Sequence, residues 1–267
     1  MDLSDRTILV TGASSGLGRA IALDLDGRGA RVVAVARRAE RLHELCAEAE
    51  RIVAAPGDVT SGDDLDRILD AAGDIDVLVN NAGVAWVGGV DEMSADDVRK
   101  VIDLNVTAVV ELTRRVLPRM IERGSGQIVI VGSILGDAVL PSLTVYSATK
   151  AAVRAFSEGL RREVEPKGVH VTLVTPGAVL GTEALEQAGD DDEDSVLQLA
   201  FRATGTSPEN VAEAVRHAIE SPGRPWTDVV AVPRVVGATR LAQVPGLGWV
   251  VDAGSKLLGL RDNRRSA

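Results

Sequence analysis

Aromatic residues make up only 2% of this 267-residue chain, and cysteine occurs once, at Cys46. A single thiol excludes an internal disulfide. Cys46 falls in an amphipathic stretch, where a small core residue is its ordinary role. Histidine is nearly as scarce: His43, His170 and His217 lie far apart with no ligand spacing around them, so no metal site is expected. Positive charge is in deficit. Against 39 Asp and Glu stand 29 Lys and Arg, a formal net charge of -10. That balance argues against a nucleic-acid partner, which needs a basic footprint, and favours solubility. It still allows local arginines and backbone N–H groups to hold phosphate. No run approaches the ~20 apolar residues of a membrane helix. The start, MDLSDRTILV, lacks the basic residues and long apolar region of a secretory signal. A cytoplasmic protein is expected.

What is present is Ala, Val, Leu and Ile, which carry most of a 45% hydrophobic content. Seven short apolar runs read as strands: Thr7–Val10, Arg31–Ala36, Arg51–Ala55, Ile75–Val79, Gln127–Gly132, Val169–Thr175 and Val229–Val232. Most are continuously apolar, as in strands covered on both faces. Helical patterns separate them at Leu17–Arg28, Glu40–Glu50, Asp63–Ala71, Ala95–Arg123, Thr144–Glu165 and Pro208–Glu220. Ser94, with Asp97 three places on, is a capping pattern, and Pro208 opens the last helix. Strand–helix alternation predicts an α/β protein: a single-domain, Rossmann-like, doubly wound parallel sheet of about seven strands with helices on both faces.

No linker divides the chain, so residues 1–236 read as one domain. An insert at about 178–207 carries the acidic run Asp190–Asp194 and no strand. It reads either as a solvated surface loop or as a lid over a substrate. The extension over 237–267 mixes leucines and valines with glycines and ends in Arg-Asp-Asn-Arg-Arg-Ser-Ala. It can pack on the domain, meet another subunit or rest on a membrane surface. Glycines weaken the helix that the membrane reading would need.

The first strand runs straight into Thr11-Gly12-Ala13-Ser14-Ser15-Gly16-Leu17-Gly18 and then a helix. Glycine lets a ligand approach the backbone closely, and the helix start offers unpaired N–H groups and a positive dipole end to a pyrophosphate. The spacing is G-x-x-x-G-x-G rather than the usual dinucleotide G-x-G-x-x-G, and no Lys follows the last glycine as in an ATP-binding loop. The second strand ends in Arg37-Arg38 with no acid. In dinucleotide folds an acid at that edge binds the ribose 2′-hydroxyl of NAD and an arginine the 2′-phosphate of NADP. NADP(H) is therefore favoured over NAD(H). The arginines could instead simply begin a solvated helix.

With Tyr146-Ser147-Ala148-Thr149-Lys150 added, the chain resembles a short-chain dehydrogenase/reductase over about residues 5–236. The glycine turn, Asp58-Val59, Asn80-Asn81-Ala82-Gly83, Asn105, Ser133, Tyr146, Lys150 and Pro176-Gly177 occur in that family's order. The resemblance implies that Gly12, Ser14, Ser15, Gly16, Leu17 and Gly18 hold the pyrophosphate and adenosine side. It implies Arg37, then Arg38, at the 2′-phosphate, and Asp58 and Val59 at the adenine. Asn81, Ala82 and Gly83 would lie along the cofactor, and Pro176, Gly177 and Val179 would border the nicotinamide with Thr182 at its carboxamide. Thr182 stands one residue later than in the family's P-G-x-V-x-T pattern.

The implied catalytic set is Asn105, Ser133, Tyr146 and Lys150. Reducing a carbonyl needs a proton on oxygen as well as a hydride on carbon. Tyr146, the one tyrosine, has an ordinary pKa near 10. Lys150, one turn along the same face, is expected to lower it and, by the resemblance, to hold the nicotinamide ribose. Ser133 would bind the substrate oxygen, and Asn105 would hold a water linked to the lysine. Taken singly, each has an ordinary structural reading. The expected activity is NADP(H)-dependent oxidoreduction of a carbonyl or secondary alcohol on a small, partly apolar substrate. Ala85, Trp86, Val87, Ile134, Leu135, Val139, Leu140, Val179 and Leu180 are candidate pocket walls, with Trp86 either stacking on a ring or packing. A non-catalytic NADP(H)-binding regulator and a dehydratase or epimerase on the same fold are the alternatives. A homodimer or homotetramer is expected from the family.

Overall fold

The computed structural model describes residues 2–182, 204–222 and 229–232. Most of the 178–207 insert, including Asp190–Asp194, and all of the 237–267 extension lie outside the described residues. The seven strands are β1 (Thr7–Thr11), β2 (Arg31–Ala36), β3 (Ile52–Pro56), β4 (Val77–Asn80), β5 (Gly126–Val131), β6 (Val169–Pro176) and β7 (Val229–Val232). They form one parallel sheet in the order β3-β2-β1-β4-β5-β6-β7. The doubly wound fold read from the sequence is the observed one.

The apolar strands are buried on both faces because helices cover both. Ile8, Val10, Val77, Val79 and Val129 join one core with α1 (Gly16–Asp26), α2 (Ala39–Ala47) and α7 (Pro208–Glu220). Leu9, Leu78, Ile128 and Ile130 point the other way, to α3 (Gly62–Ala72), α5 (Ala108–Glu122) and α6 (Thr144–Val164). This two-residue alternation is the strand period. Cys46 is partly buried and packs against the first core, as a small apolar residue does.

Helix starts follow the sequence signals. Ser94 caps α4 (Ala95–Ile102), its Oγ accepting from the Asp97 N–H at 3.1 Å, and Pro208 opens α7, where Ser207, not singled out in the sequence, caps through the Asn210 N–H at 3.2 Å. The Ala95–Arg123 helix is not continuous. A π-type turn, Asp103–Thr107, separates α4 from α5. Such bulges frequently mark functional sites, and this one contains Asn105.

After β3 the chain crosses to the far side of β1, so β1 lies between β2 and β4. The loops leaving β1 and β4 diverge there, and ligands of open α/β sheets bind at that switch point. Among the described residues no helix is long and apolar enough to cross a membrane.

Candidate active site

A cleft of about 1070 Å³ opens at the switch point, along the carboxyl ends of the strands. Its floor is the glycine turn between β1 and α1. Gly12 and Gly16 have φ of +71° and +50°, in the left-handed region. At Gly18 close approach is decisive: a Cβ would lie 2.2 Å from the Gly12 carbonyl oxygen and 2.5 Å from Asn81 Nδ2. Thr11, which the sequence reading did not single out, ties this turn to the opposite wall. Its Oγ1 accepts from the N–H groups of Asn81 and Ala82, both at 3.0 Å, while Asn81 Nδ2 donates to the Thr11 carbonyl at 2.8 Å. Its position at the end of β1, where side chains meet the β4 loop, was the available signal.

Ser15 stands at the N-cap of α1 but makes no capping bond. Its hydroxyl accepts instead from Arg38 Nη2 at 2.7 Å, and Ser14 Oγ accepts from the same guanidinium at 3.2–3.3 Å. The amides of the first helical turn therefore have no side-chain cap competing for them. Arg37 also lines the cleft and makes no side-chain bond among the described residues. Asp58 and Val59 border the same end; Asp58 Oδ1 accepts from Thr60 N–H and Oγ1 at 2.9 and 2.7 Å. Leu17, Ala82, Gly83, Pro176, Gly177, Val179 and Thr182 line the rest. Thr182 donates to the Val179 carbonyl at 2.8 Å, and its methyl lies so close to Gly16 that a Cβ there would be 3.2 Å away. The extra residue in its motif thus leaves Thr182 inside the cleft.

Ser133 ends the strand-to-turn path from β5, and its Oγ accepts from the Leu135 N–H at 3.1 Å. The Ser133 side chain neighbours the Tyr146 phenol on the cleft and favours its ionised form. Lys150 is buried, donates to the Val131 carbonyl at 3.0 Å, and holds its ammonium 5.6 Å from the centre of the Tyr146 ring. The expected lowering of the phenol is reversed by the protein's own groups: burial pushes Tyr146 up, and the neighbouring Ser133 hydroxyl only partly offsets it. Lys150 is itself pushed down to about 8 by burial. Desolvation disfavours both charged forms, so the phenol is held in its protonated form.

Asn105 does not line the cleft; it stands behind the wall. Its Oδ1 accepts from the Val84 N–H, and its Nδ2 donates to the Val84 carbonyl and to Thr149 Oγ1. Thr149 in turn donates to the Tyr146 carbonyl at 2.7 Å. Both amide N–H bonds are spent this way, which leaves one lone pair of Oδ1 for any water. Gly83 lies between the two polar groups: a Cβ there would sit 3.2 Å from Asn105 Oδ1 and 3.6 Å from Lys150 Nζ. All other site residues expected from the sequence share the one cleft.

Of the expected pocket walls, Ala85, Trp86, Val87, Ile134, Leu135, Leu140 and Val179 border the cleft. Val139 and Leu180 do not; they are 65% and 49% exposed on the surface. The Trp86 indole folds onto its own loop, where a Cβ on Gly88 would come within 2.6 Å of it, and it also faces the cleft. Packing and ligand contact are thus compatible for this ring.

Comparisons with known proteins agree with this architecture. A family model described as short chain dehydrogenase matches residues 6–193. An uncharacterized oxidoreductase of Staphylococcus aureus is 33% identical over 229 residues, covering 82% of this chain and 93% of that protein. A short-chain dehydrogenase from Streptomyces avermitilis superposes with a TM-score of 0.81 at 34% identity, over 96% of this chain and 98% of that one. A short-chain dehydrogenase from Sphingobium yanoikuyae in complex with NADPH superposes with a TM-score of 0.75 at 31% identity, over 98% of both chains. This chain belongs to the short-chain dehydrogenase family and is an oxidoreductase of that family.

Proposed function

We propose that the protein is an NADP(H)-dependent oxidoreductase that interconverts a carbonyl and a secondary alcohol on a small, partly apolar substrate. The observation that carries this reading is the meeting of Ser133, Tyr146 and Lys150 on the cleft floored by the Gly12–Gly18 turn. The residues fit a dinucleotide: the lack of a Cβ at Gly18 lets the turn close against Gly12 and Asn81, the α1 start lacks a side-chain cap, and two arginines stand at the end of β2. A bound nicotinamide cofactor would supply or accept the hydride. Gly12, Ser14, Ser15, Gly16, Leu17 and Gly18 would hold its phosphates, Asp58 and Val59 its adenine, and Pro176, Gly177, Val179 and Thr182 its nicotinamide end.

NADP(H) is favoured because Arg38 is seated on Ser14 and Ser15 and Arg37 stands beside it with no side-chain bond among the described residues. Two guanidinium groups suit a 2′-phosphate, and the end of β2 carries arginines where an acid would bind a free ribose hydroxyl. At the other end Tyr146 donates its proton to the substrate oxygen, Ser133 hydrogen-bonds that oxygen, and Lys150 carries positive charge beside the phenol. Trp86, Val87, Leu135 and Leu140 give the substrate end its apolar walls. A homodimer or homotetramer is part of the reading; the exposed Ala148, Ala151, Ala152 and Ala155 along α6 let two such helices approach closely.

Absorbance at the reduced-nicotinamide band, followed with NADPH and with NADH against a panel of ketones and aldehydes, tests the proposal. Net oxidation of NADPH by at least one carbonyl, faster than of NADH, is the expected result. Binding of NADPH without turnover on any carbonyl, or equal use of both cofactors, would overturn the activity or the cofactor preference respectively.

A further inference from the structure

The segment after β5 is a compact turn with its own hydrogen bonds. Gly136 N–H donates to the Ser133 carbonyl at 3.0 Å, and Asp137 N–H donates to the Ile134 carbonyl at 2.9 Å. With Ser133 Oγ accepting from the Leu135 N–H, hydrogen bonds tie the five residues Ser133–Asp137 into one turn. Tyr146, Lys150 and Arg154 are spaced by four on α6, so they share one helix face. The turn meets that face at three places. Ser133 stands beside Tyr146 on the cleft, its side chain acting on the phenol. Gly136 lies against the Lys150 backbone, where a Cβ would come within 2.9 Å of both the carbonyl carbon and oxygen. Asp137 Oδ1 forms an ion pair with Arg154 Nε at 3.2 Å.

The third contact is electrostatically committed. The Asp137 side chain is only 4% exposed, against 30% for Arg154. A carboxylate withdrawn from water to that degree is stabilised by a paired cation and destabilised by losing it. Neither residue is among those lining the cleft, so the pair acts on the reaction only through what it holds.

We propose that the Asp137–Arg154 ion pair anchors the Ser133–Asp137 turn to α6 and thereby sets the Ser133 hydroxyl against the Tyr146 hydroxyl. Asp137 and Arg154 are then positioning residues for the reaction. The inference rests on the reading of Tyr146 as proton donor. A small displacement of a reacting group is costly: about 1 Å costs on the order of 10²-fold in rate.

The experiment uses the full chain with NADPH and the most readily reduced carbonyl of the panel. Asp137→Asn, Arg154→Met and Arg154→Lys are made in the wild type and in a Ser133→Ala background, with NADPH affinity measured by fluorescence. In the wild type, Asp137→Asn and Arg154→Met lower kcat by about 10- to 100-fold, with NADPH affinity unchanged. Arg154→Lys, which keeps the charge, retains the larger share of kcat. Once Ser133 is Ala, each substitution costs less than about twofold more, because the anchor no longer has a hydroxyl to place. Equal fold losses in both backgrounds overturn the inference, as does wild-type kcat in Asp137→Asn. If Asp137→Asn does not fold, the ordering of Arg154→Lys against Arg154→Met in the two backgrounds decides the same point. Full turnover in Tyr146→Phe overturns the reading of the site and this inference with it. A crippled Tyr146→Phe beside an unaffected Asp137→Asn overturns the anchor alone.

Discussion

Asn105 and Val84 exchange two hydrogen bonds, Val84 N–H to Oδ1 and Nδ2 to the Val84 carbonyl, both at 2.9 Å. A side-chain amide thus replaces the strand partner that the chain loses as it leaves β4. The π-turn makes this possible, because it brings Asn105 inward from a helix that would otherwise run past. The wall of the cleft at Gly83–Val84 is shaped by a residue that does not touch the cleft itself.

Asn105→Leu is therefore expected to damage fold and turnover together. It strips both partners from the Val84 backbone, and an unpaired polar group sheltered from water costs about 1–3 kcal/mol. Chemical denaturation should show a lower midpoint, and kcat should fall even where NADPH still binds. A wild-type midpoint would show that the amide pairing carries no stability.

Tyr146→Phe should lower kcat by about 10² to 10⁴-fold, the usual worth of a positioned general acid. NADPH affinity should be largely kept, since the phenol is at the substrate end. Steady-state turnover alongside fluorescence titration of NADPH separates the two, and unchanged turnover removes Tyr146 from the chemistry.

Arg38→Ala tests the cofactor edge. The guanidinium donates to Ser14 and Ser15 at the phosphate end of the cleft. A lost charge-assisted bond of about 1.5–3 kcal/mol corresponds to roughly 10- to 100-fold in KM for NADPH. KM for NADH should change little. Parallel losses with both cofactors would mean that Arg38 only braces the glycine turn.

Gly18→Ala is expected to abolish dinucleotide binding. Its methyl would lie 2.2 Å from the Gly12 carbonyl oxygen, a backbone atom that cannot move aside without opening the turn. Thermal melting with and without NADPH should show loss of the ligand-induced rise in Tm. A retained rise would refute the close-approach argument.

Lys150 gives a pH signature. Burial lowers its folded pKa from an ordinary 10.5 to about 8. Below about 8 both folded and unfolded chains hold the proton, and the burial cost is constant. Between about 8 and 10.5 the unfolded chain binds more protons, so this group's contribution to stability rises with pH. Urea midpoints of the wild type should therefore gain on those of Lys150→Met as pH rises through that window. A difference that stays flat from neutral to alkaline pH would contradict the burial account.

Much of the fold was legible because buried parallel strands leave continuous apolar runs and helices leave caps. β2 and β7 match the ranges read from the sequence, Ser94 caps the helix that follows it, and Pro208 opens α7. The cleft residues were legible through the order of short motifs. Other features were not. The π-turn leaves the helical period of Ala95–Arg123 nearly intact, so Asn105 looked like an irregularity within one helix. Val139 and Leu180 have the composition of pocket walls, but only the path of their loops puts them on the surface. Charge near Tyr146 was readable from the spacing to Lys150, whereas burial, which pushes the phenol up, has no local signature.

The order of residues alone determined the alternation of strands and helices, the glycine turn after β1 and the Tyr146–Lys150 spacing, because each is a local matter of period, backbone freedom and one helical turn. Only the assembled sheet decided that Thr11 meets Asn81, that Asn105 stands behind Val84, and that Asp137 reaches Arg154. Those contacts join segments that different strands and helices carry to the same edge, and the desolvation that reverses the Tyr146 phenol exists only once they have closed around it.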